Sequence, residues 1–138
     1  MGYSVHESEL ERLVSERPGR ERVFFVSRER AGTDDFLAGV LTYQPGVRSP
    51  YHFHQGCEHF QLVLEGKGVV VTEKGEFPVG PGTLVFIHEG DRHQMRAEGG
   101  TLRFLEFQVP NRFQTVILEG GDVDLRWFHT DGRVWKQS

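Results

Sequence analysis

At 138 residues the chain has room for one domain with one hydrophobic core, enough to fold without a disulfide or a structural metal. Its formal net charge is -4 and its sixteen Lys and Arg are scattered, which excludes the basic stripe of a nucleic-acid binder. No apolar run approaches the roughly 18 residues of a membrane span, the N-terminal segment lacks the apolar stretch of a signal peptide, and a single cysteine, Cys57, excludes an intrachain disulfide. The expectation is a cytoplasmic enzyme or binding protein. Gly is abundant at 17 residues beside 6 Pro, without a repeat unit, as in a chain of short strands and many tight turns.

Only the start reads as a helix. Ser8-x-x-Glu11 has the form of a capping box, and Leu10, Leu13 and Val14 share a face at helical spacing. These predict a helix over about residues 8–17, stopped by Pro18-Gly19. Such a helix cannot stand alone and must brace or cover the rest of the domain.

Strands and turns follow. Arg22 to Ser27 is apolar and β-branched, and Ala38 to Tyr43 is closed by Pro45-Gly46. Glu58 to Leu64 and Gly68 to Thr72 flank Glu65-Gly66-Lys67, and Phe77 to Val79 is short. Thr83 to Ile87 follows Pro81-Gly82, and His93 to Ala97 and Thr101 to Val109 flank Glu98-Gly99-Gly100. Short strands at regular spacing, punctuated by Gly and Pro, predict a sandwich or barrel. After Pro110, Phe113 to Leu118 is a further candidate strand. Trp127 to Thr130 and Arg133 to Lys136 are joined by Asp131-Gly132, which predicts a hairpin with a two-residue turn. Trp127, Phe128 and Trp135 would anchor it, either on its own subunit or as a cover or dimer arm.

Four of the seven histidines form one pattern. His52 and His54 project to the same side of an extended segment, so two imidazoles can reach one ion. The segment resembles the first motif of the cupin superfamily: Gly, five residues, His-x-His, three or four residues, Glu, six residues, Gly. Here Gly46, His52, His54, His59 and Gly66 keep that spacing, with His59 where the motif has Glu. Glu58 fits the first gap but breaks the second, and a one-residue shift turns the side chain to the other face. His59 is therefore the preferred fourth ligand and Glu58 the alternative. The second motif is matched by Gly90 and His93, while His88 and Ala97 stand where it has Pro and Asn.

The resemblance covers about residues 36–109 of a single domain, 1–138, with an extension over about 110–138. It implies an all-β double-stranded β-helix (jelly-roll) barrel with a short N-terminal helix and a C-terminal hairpin. It also implies a divalent transition metal (Fe, Mn, Ni or Zn) held by His52, His54, His59 and His93, a small-molecule ligand or substrate, and a homodimer. A hydrogen-bonded core histidine is the ordinary reading of any one of these residues, but burying four imidazoles without a partner is costly.

Parity adds Gln61, two residues after His59, and Met95, two after His93, as candidate pocket residues. Tyr43, Arg103 and Glu106 lie on core strands with their facing open, and Cys57 lies beside the ligands in a loop. His88 reads as a turn residue, and His6 and His129 as surface. Two functions fit: a metalloenzyme of dioxygenase or Lewis-acid type, or a non-catalytic module that binds or senses a small molecule. The substrate depends on pocket shape contributed by several strands.

Overall fold

Side-chain alternation shapes the molecule. In the computed structural model, which describes residues 2–119 and 126–136, two antiparallel sheets pack their apolar faces together. The larger has seven strands in the order β12-β1-β2-β3-β10-β5-β8. They are β1 (Leu13–Ser15), β2 (Arg20–Val26), β3 (Leu37–Tyr43), β5 (Glu58–Glu65), β8 (Leu84–Ile87), β10 (Leu102–Val109) and β12 (Trp127–Phe128). The smaller has five in the order β11-β4-β9-β6-β7. They are β4 (His52–Gln55), β6 (Gly68–Thr72), β7 (Gly75–Val79), β9 (His93–Ala97) and β11 (Gln114–Ile117). This is the jelly-roll arrangement expected from the motifs. Among the described residues no helix is long and apolar enough to cross a membrane.

The inward faces carry two kinds of chemistry. On β5 they read His59, Gln61, Val63, on β9 His93, Met95, Ala97, and on β10 Leu102, Phe104, Glu106, Gln108. β5 and β10 run antiparallel and pair His59 with Gln108, Gln61 with Glu106 and Val63 with Phe104. The interior thus has an apolar end and a polar end. Phe104, Met95, Leu102 and Val63 are fully buried at the first, each contributing roughly 1.5–3 kcal/mol by leaving water.

Two glycines keep strands close. A Cβ on Gly39 of β3 would lie 2.4 Å from the Val23 carbonyl oxygen, where the β2–β3 register shifts. Gly66 has φ +83°, and a Cβ there would lie 2.0 Å from the Thr101 carbonyl oxygen. Position 66 therefore needs glycine on both counts.

The N-terminus differs from its predicted form. The helix expected over residues 8–17 is a single 3-10 turn, Glu7–Glu9, capped by His6 rather than Ser8. The Ser8 N–H donates to His6 Nδ1 (3.1 Å), and Glu9 Oε1 accepts from the His6 N–H (3.3 Å). Residues 13–15 instead form β1, between β2 and β12. Leu10 and Leu13 are buried but Val14 is exposed. The spacing of Leu10, Leu13 and Val14 matches a helix and not a strand, but pairing on both strand edges decides for the sheet and turns Val14 outward. A short helix, α1 (Arg28–Ala31), capped by Ser27 and closed by Gly32 in the left-handed region, carried no apolar periodicity to reveal it.

The C-terminal hairpin is present with a longer turn than predicted. Phe128 bridges Val134, the His129 N–H donates to the Arg133 carbonyl (2.8 Å), and the Gly132 N–H donates to the His129 carbonyl (2.9 Å). The loop is thus three residues, Thr130 to Gly132, with Gly132 at φ +90°. The hairpin covers its own barrel: Trp127 is buried in the core, and Trp135 packs against it, stacked on Phe24 at 4.8 Å.

Candidate metal centre

The histidine cluster follows from strand pairing at the polar end. β4 lies between β11 and β9, with His52 opposite His93 and His54 opposite Thr115. The ring centroid of His52 is 4.9 Å from that of His54 and 4.2 Å from that of His93. His59, arriving from β5 in the other sheet, stands 4.8 Å from His54 and 5.0 Å from His93. Candidate ligand atoms of His52, His54 and His93 lie within 4.8 Å of one another.

Hydrogen bonds set the orientation of three rings. His52 Nδ1 bonds the Pro50 carbonyl (2.6 Å), and His93 Nδ1 bonds the Asp91 carbonyl (2.8 Å). A carbonyl only accepts, so Nδ1 of both rings carries the proton and Nε2 keeps its lone pair. His54 Nδ1 bonds the Thr115 hydroxyl at 2.8 Å. Nε2 of His59 and of His93 is buried without a hydrogen-bond partner. Buried orphan acceptors are costly, and an imidazole tied through one nitrogen with the other turned to a shared space is how metal-binding histidines are held. His52, His54 and His93 fit a divalent transition metal, and His59 stands beside that group.

Electrostatics agree. Burial, followed by the proximity of His93, depresses the pKa of His52 to about 3, and burial takes His59 down to about 4. Burial likewise holds His54 well below its ordinary value and lowers His93. All four rings are neutral at neutral pH, the form that donates to a metal.

His59 and Glu58 face opposite ways. His59 is 2 % exposed, inside the barrel, whereas the Glu58 carboxylate is exposed and bonds His88 Nδ1 at 2.8 Å. His88 thus makes an outer hydrogen bond to Glu58 as well as belonging to its turn. Burial raises the Cys57 thiol to about 12, with Glu106, Glu89 and Glu58 adding to the shift, so it stays protonated and unreactive.

Beside the histidines lies a carboxylate whose facing the sequence left open. Glu106 points inward, where Oε1 accepts from Arg22 Nη2 (3.1 Å) and Oε2 accepts from Gln61 Nε2 (3.0 Å). Both charged side chains are nearly buried, at 11 % and 12 % exposure. Burial raises the Glu106 pKa, but Arg22, His59 and the Gln61 amide outweigh it and hold the carboxyl below its ordinary value. Arg22 stays protonated, as arginine does. Register is the signal that identifies Glu106, since it pairs with inward Gln61. Arg22 had none, because a charged strand residue reads as solvent-facing.

A cavity of about 440 Å³ opens above this group. His52, His54, Gln61, Glu106 and Arg22 line it, while His59 and His93 are more deeply buried. Tyr43 also reaches the wall. Met95 corrects the expectation of a pocket residue: it is inward, as parity requires, but lies in the apolar core and is 1 % exposed. Parity gives facing, not depth. Arg103 is outside, paired with Glu7 and Glu65.

The Cupin domain family matches residues 39–107, and the chain belongs to that family. The sequence is 29% identical over 111 residues to glucose-6-phosphate isomerase of Thermococcus gammatolerans, covering 72% of this chain and 59% of the relative. The chain therefore spans about three fifths of that relative's length. A sugar phosphate isomerase structure from Silicibacter pomeroyi superposes with a TM-score of 0.74 at 19% identity, covering 98% of this chain and 93% of that one. The polyketide cyclase RemF from Streptomyces resistomycificus matches with a TM-score of 0.74 at 26% identity, covering 90% and 92%.

Proposed function

We propose that the protein is a metal-dependent enzyme acting on a small carbonyl compound, with the ion held by His52, His54, His59 and His93 and Glu106 as the base. The observation that carries this reading is the buried Glu106 carboxylate, paired with Arg22, opening onto the same cavity as His52 and His54. A binding module has no need of an inward carboxylate held charged at the cost of burying an arginine.

A bound divalent ion (Fe, Mn, Ni or Zn) would act as a Lewis acid that polarises a carbonyl oxygen. The chain's residues supply the rest. Glu106 takes a proton from carbon beside that carbonyl, Arg22 keeps Glu106 ionised, and Gln61 orients it. Similar proteins are named as isomerases and as a cyclase, and proton transfer beside a carbonyl serves either reaction.

The test is α-proton exchange of 2-hydroxyacetophenone in D2O, followed by NMR with metal-loaded protein. Wild type is expected to exchange and Glu106→Gln to retain metal without exchanging. Oxygen uptake without exchange would favour the dioxygenase reading. Neither activity, with bound metal, would favour the non-catalytic one.

A homodimer belongs to the same proposal. β8 is the edge strand of the larger sheet, with Leu84 and Phe86 about half exposed. Antiparallel pairing of two copies about Val85 would set Leu84 of one against Phe86 of the other. Sedimentation velocity reads this directly, and a monomer at every concentration would remove it. A cytoplasmic location completes the proposal, tested by fractionation of the host cell.

A further inference from the structure

Resting on that functional reading, we infer that the cavity takes a flat aromatic hydroxy-ketone or its enol, and not a sugar phosphate. Three observations point to it. First, beside polar groups such as Ser49, Gln108 and Thr115 the wall has an apolar, aromatic share: Leu37, Leu41, Phe113, Ile117, Trp127 and Trp135 line the space. Sugar hydroxyls laid against them would lose hydrogen bonds to water and gain none, whereas an aromatic ring gains contact area and stacking.

Second, the cavity's cations are already engaged. The Arg22 guanidinium pairs with Glu106 and lies over the rings of Phe24 at 4.5 Å and Trp127 at 4.9 Å. Arg20 is buried over Trp127 and Tyr43 and has further partners within the protein. A phosphate dianion entering here would compete with Glu106 for Arg22 and be repelled by its charge.

Third, two polar atoms flanking Glu106 lack partners. Gln61 Oε1 is a buried acceptor, on a residue only 4 % exposed, and Arg22 Nε–H is a buried donor. The Gln61 amide cannot be reversed to relieve this, because Glu106 requires the N–H that Gln61 donates to it. Both atoms are covered in this structure, and a small turn of each side chain would present them to a hydroxyl and an oxygen acceptor, which a hydroxy-ketone carries at one edge. At about 440 Å³ the cavity has room for two fused rings behind that edge.

The chain has 2 Trp, and both line the cavity, so intrinsic fluorescence reports on its occupancy. The experiment titrates 1-hydroxy-2-acetonaphthone and fructose 6-phosphate into metal-free and metal-loaded protein, by calorimetry and by tryptophan quenching. The naphthone is expected to bind both forms with saturable quenching. Fructose 6-phosphate is expected to give no saturable signal at millimolar concentration. Gln61→Met should weaken the naphthone about tenfold through one lost hydrogen bond, and Trp135→Leu should weaken it independently, with circular dichroism checking the fold of each.

Tighter binding of fructose 6-phosphate, or a naphthone affinity indifferent to both substitutions, would overturn the inference. Its failure is separable from failure of the metal reading. Protein that never acquires metal yet binds the naphthone through Gln61 sinks only the metalloenzyme. Protein that holds metal yet prefers the sugar phosphate sinks only this inference.

Discussion

The two ends of the barrel interior share strands, parity and burial, yet differ in chemistry. Along β10, Leu102 and Phe104 give way to Glu106 and Gln108; along β9, His93 gives way to Met95 and Ala97. The apolar end contributes stability by removing surface from water. The polar end buries four imidazoles and an ion pair, which cost desolvation and leave Nε2 of His59 and His93 unpartnered. A fold that tolerates such a burden at one end is stabilised by the other, and the burdened end is where the proposed function is placed.

Substitutions can sharpen that contrast. The largest effect is expected at Glu106. Replacement by Gln should slow α-proton exchange by about 10²–10⁴-fold, the usual contribution of a positioned base, and cost about 3–5 kcal/mol by leaving Arg22 buried without its counter-charge. Exchange kinetics and urea unfolding measure the two losses. An unchanged rate would break the assignment of the base.

Phe104→Ala at the apolar end should cost a similar 3–5 kcal/mol in urea unfolding, with metal content per folded molecule unchanged. Loss of metal alongside stability would mean that the two ends are not separable. Gly39→Ala acts between them. Its Cβ must displace the Val23 backbone, and Arg22 lies on the same strand. A loss of about 1–3 kcal/mol is expected, with weaker proton exchange because Glu106 loses its fixed partner. Wild-type stability and rate would show that β2 yields without moving Arg22.

Acid provides the mildest test. Unfolded histidines take up protons near pH 6.5, whereas His59 in the fold does so only near about 4 and His52 near about 3. The unfolded chain therefore binds more protons between those limits, and the stability of the metal-free protein falls as pH drops through 6.5. The slope is about 1.4 kcal/mol per pH unit for each imidazole concerned. Urea midpoints of chelator-treated protein at pH 7.5 and 5.5 measure it, and a flat profile would mean that the imidazoles are not buried together.

Much of this organisation can be read in the sequence, for identifiable reasons. Gly and Pro between short apolar runs define the barrel, and the spacing from Gly46 to Gly66 turns His52, His54 and His59 inward from strands of the two sheets. Counting by two separates inward His59 from outward Glu58. Elsewhere the pattern is not enough. Leu10, Leu13 and Val14 are spaced for a helix, yet the sheet's backbone bonds override that pattern. Met95 faces inward but at the wrong depth. Glu106 needs the β5–β10 register before its partner Gln61 is known, and Arg22 depends on a counter-charge distant in the chain.

Metal analysis of purified protein tests the central claim most directly. Wild type and Glu58→Ala should each carry about one divalent ion per chain, and His59→Ala should carry much less. Equal metal in all three would remove His59 from the site, and none in the wild type grown with Fe, Mn, Ni and Zn supplied would contradict the metal centre itself.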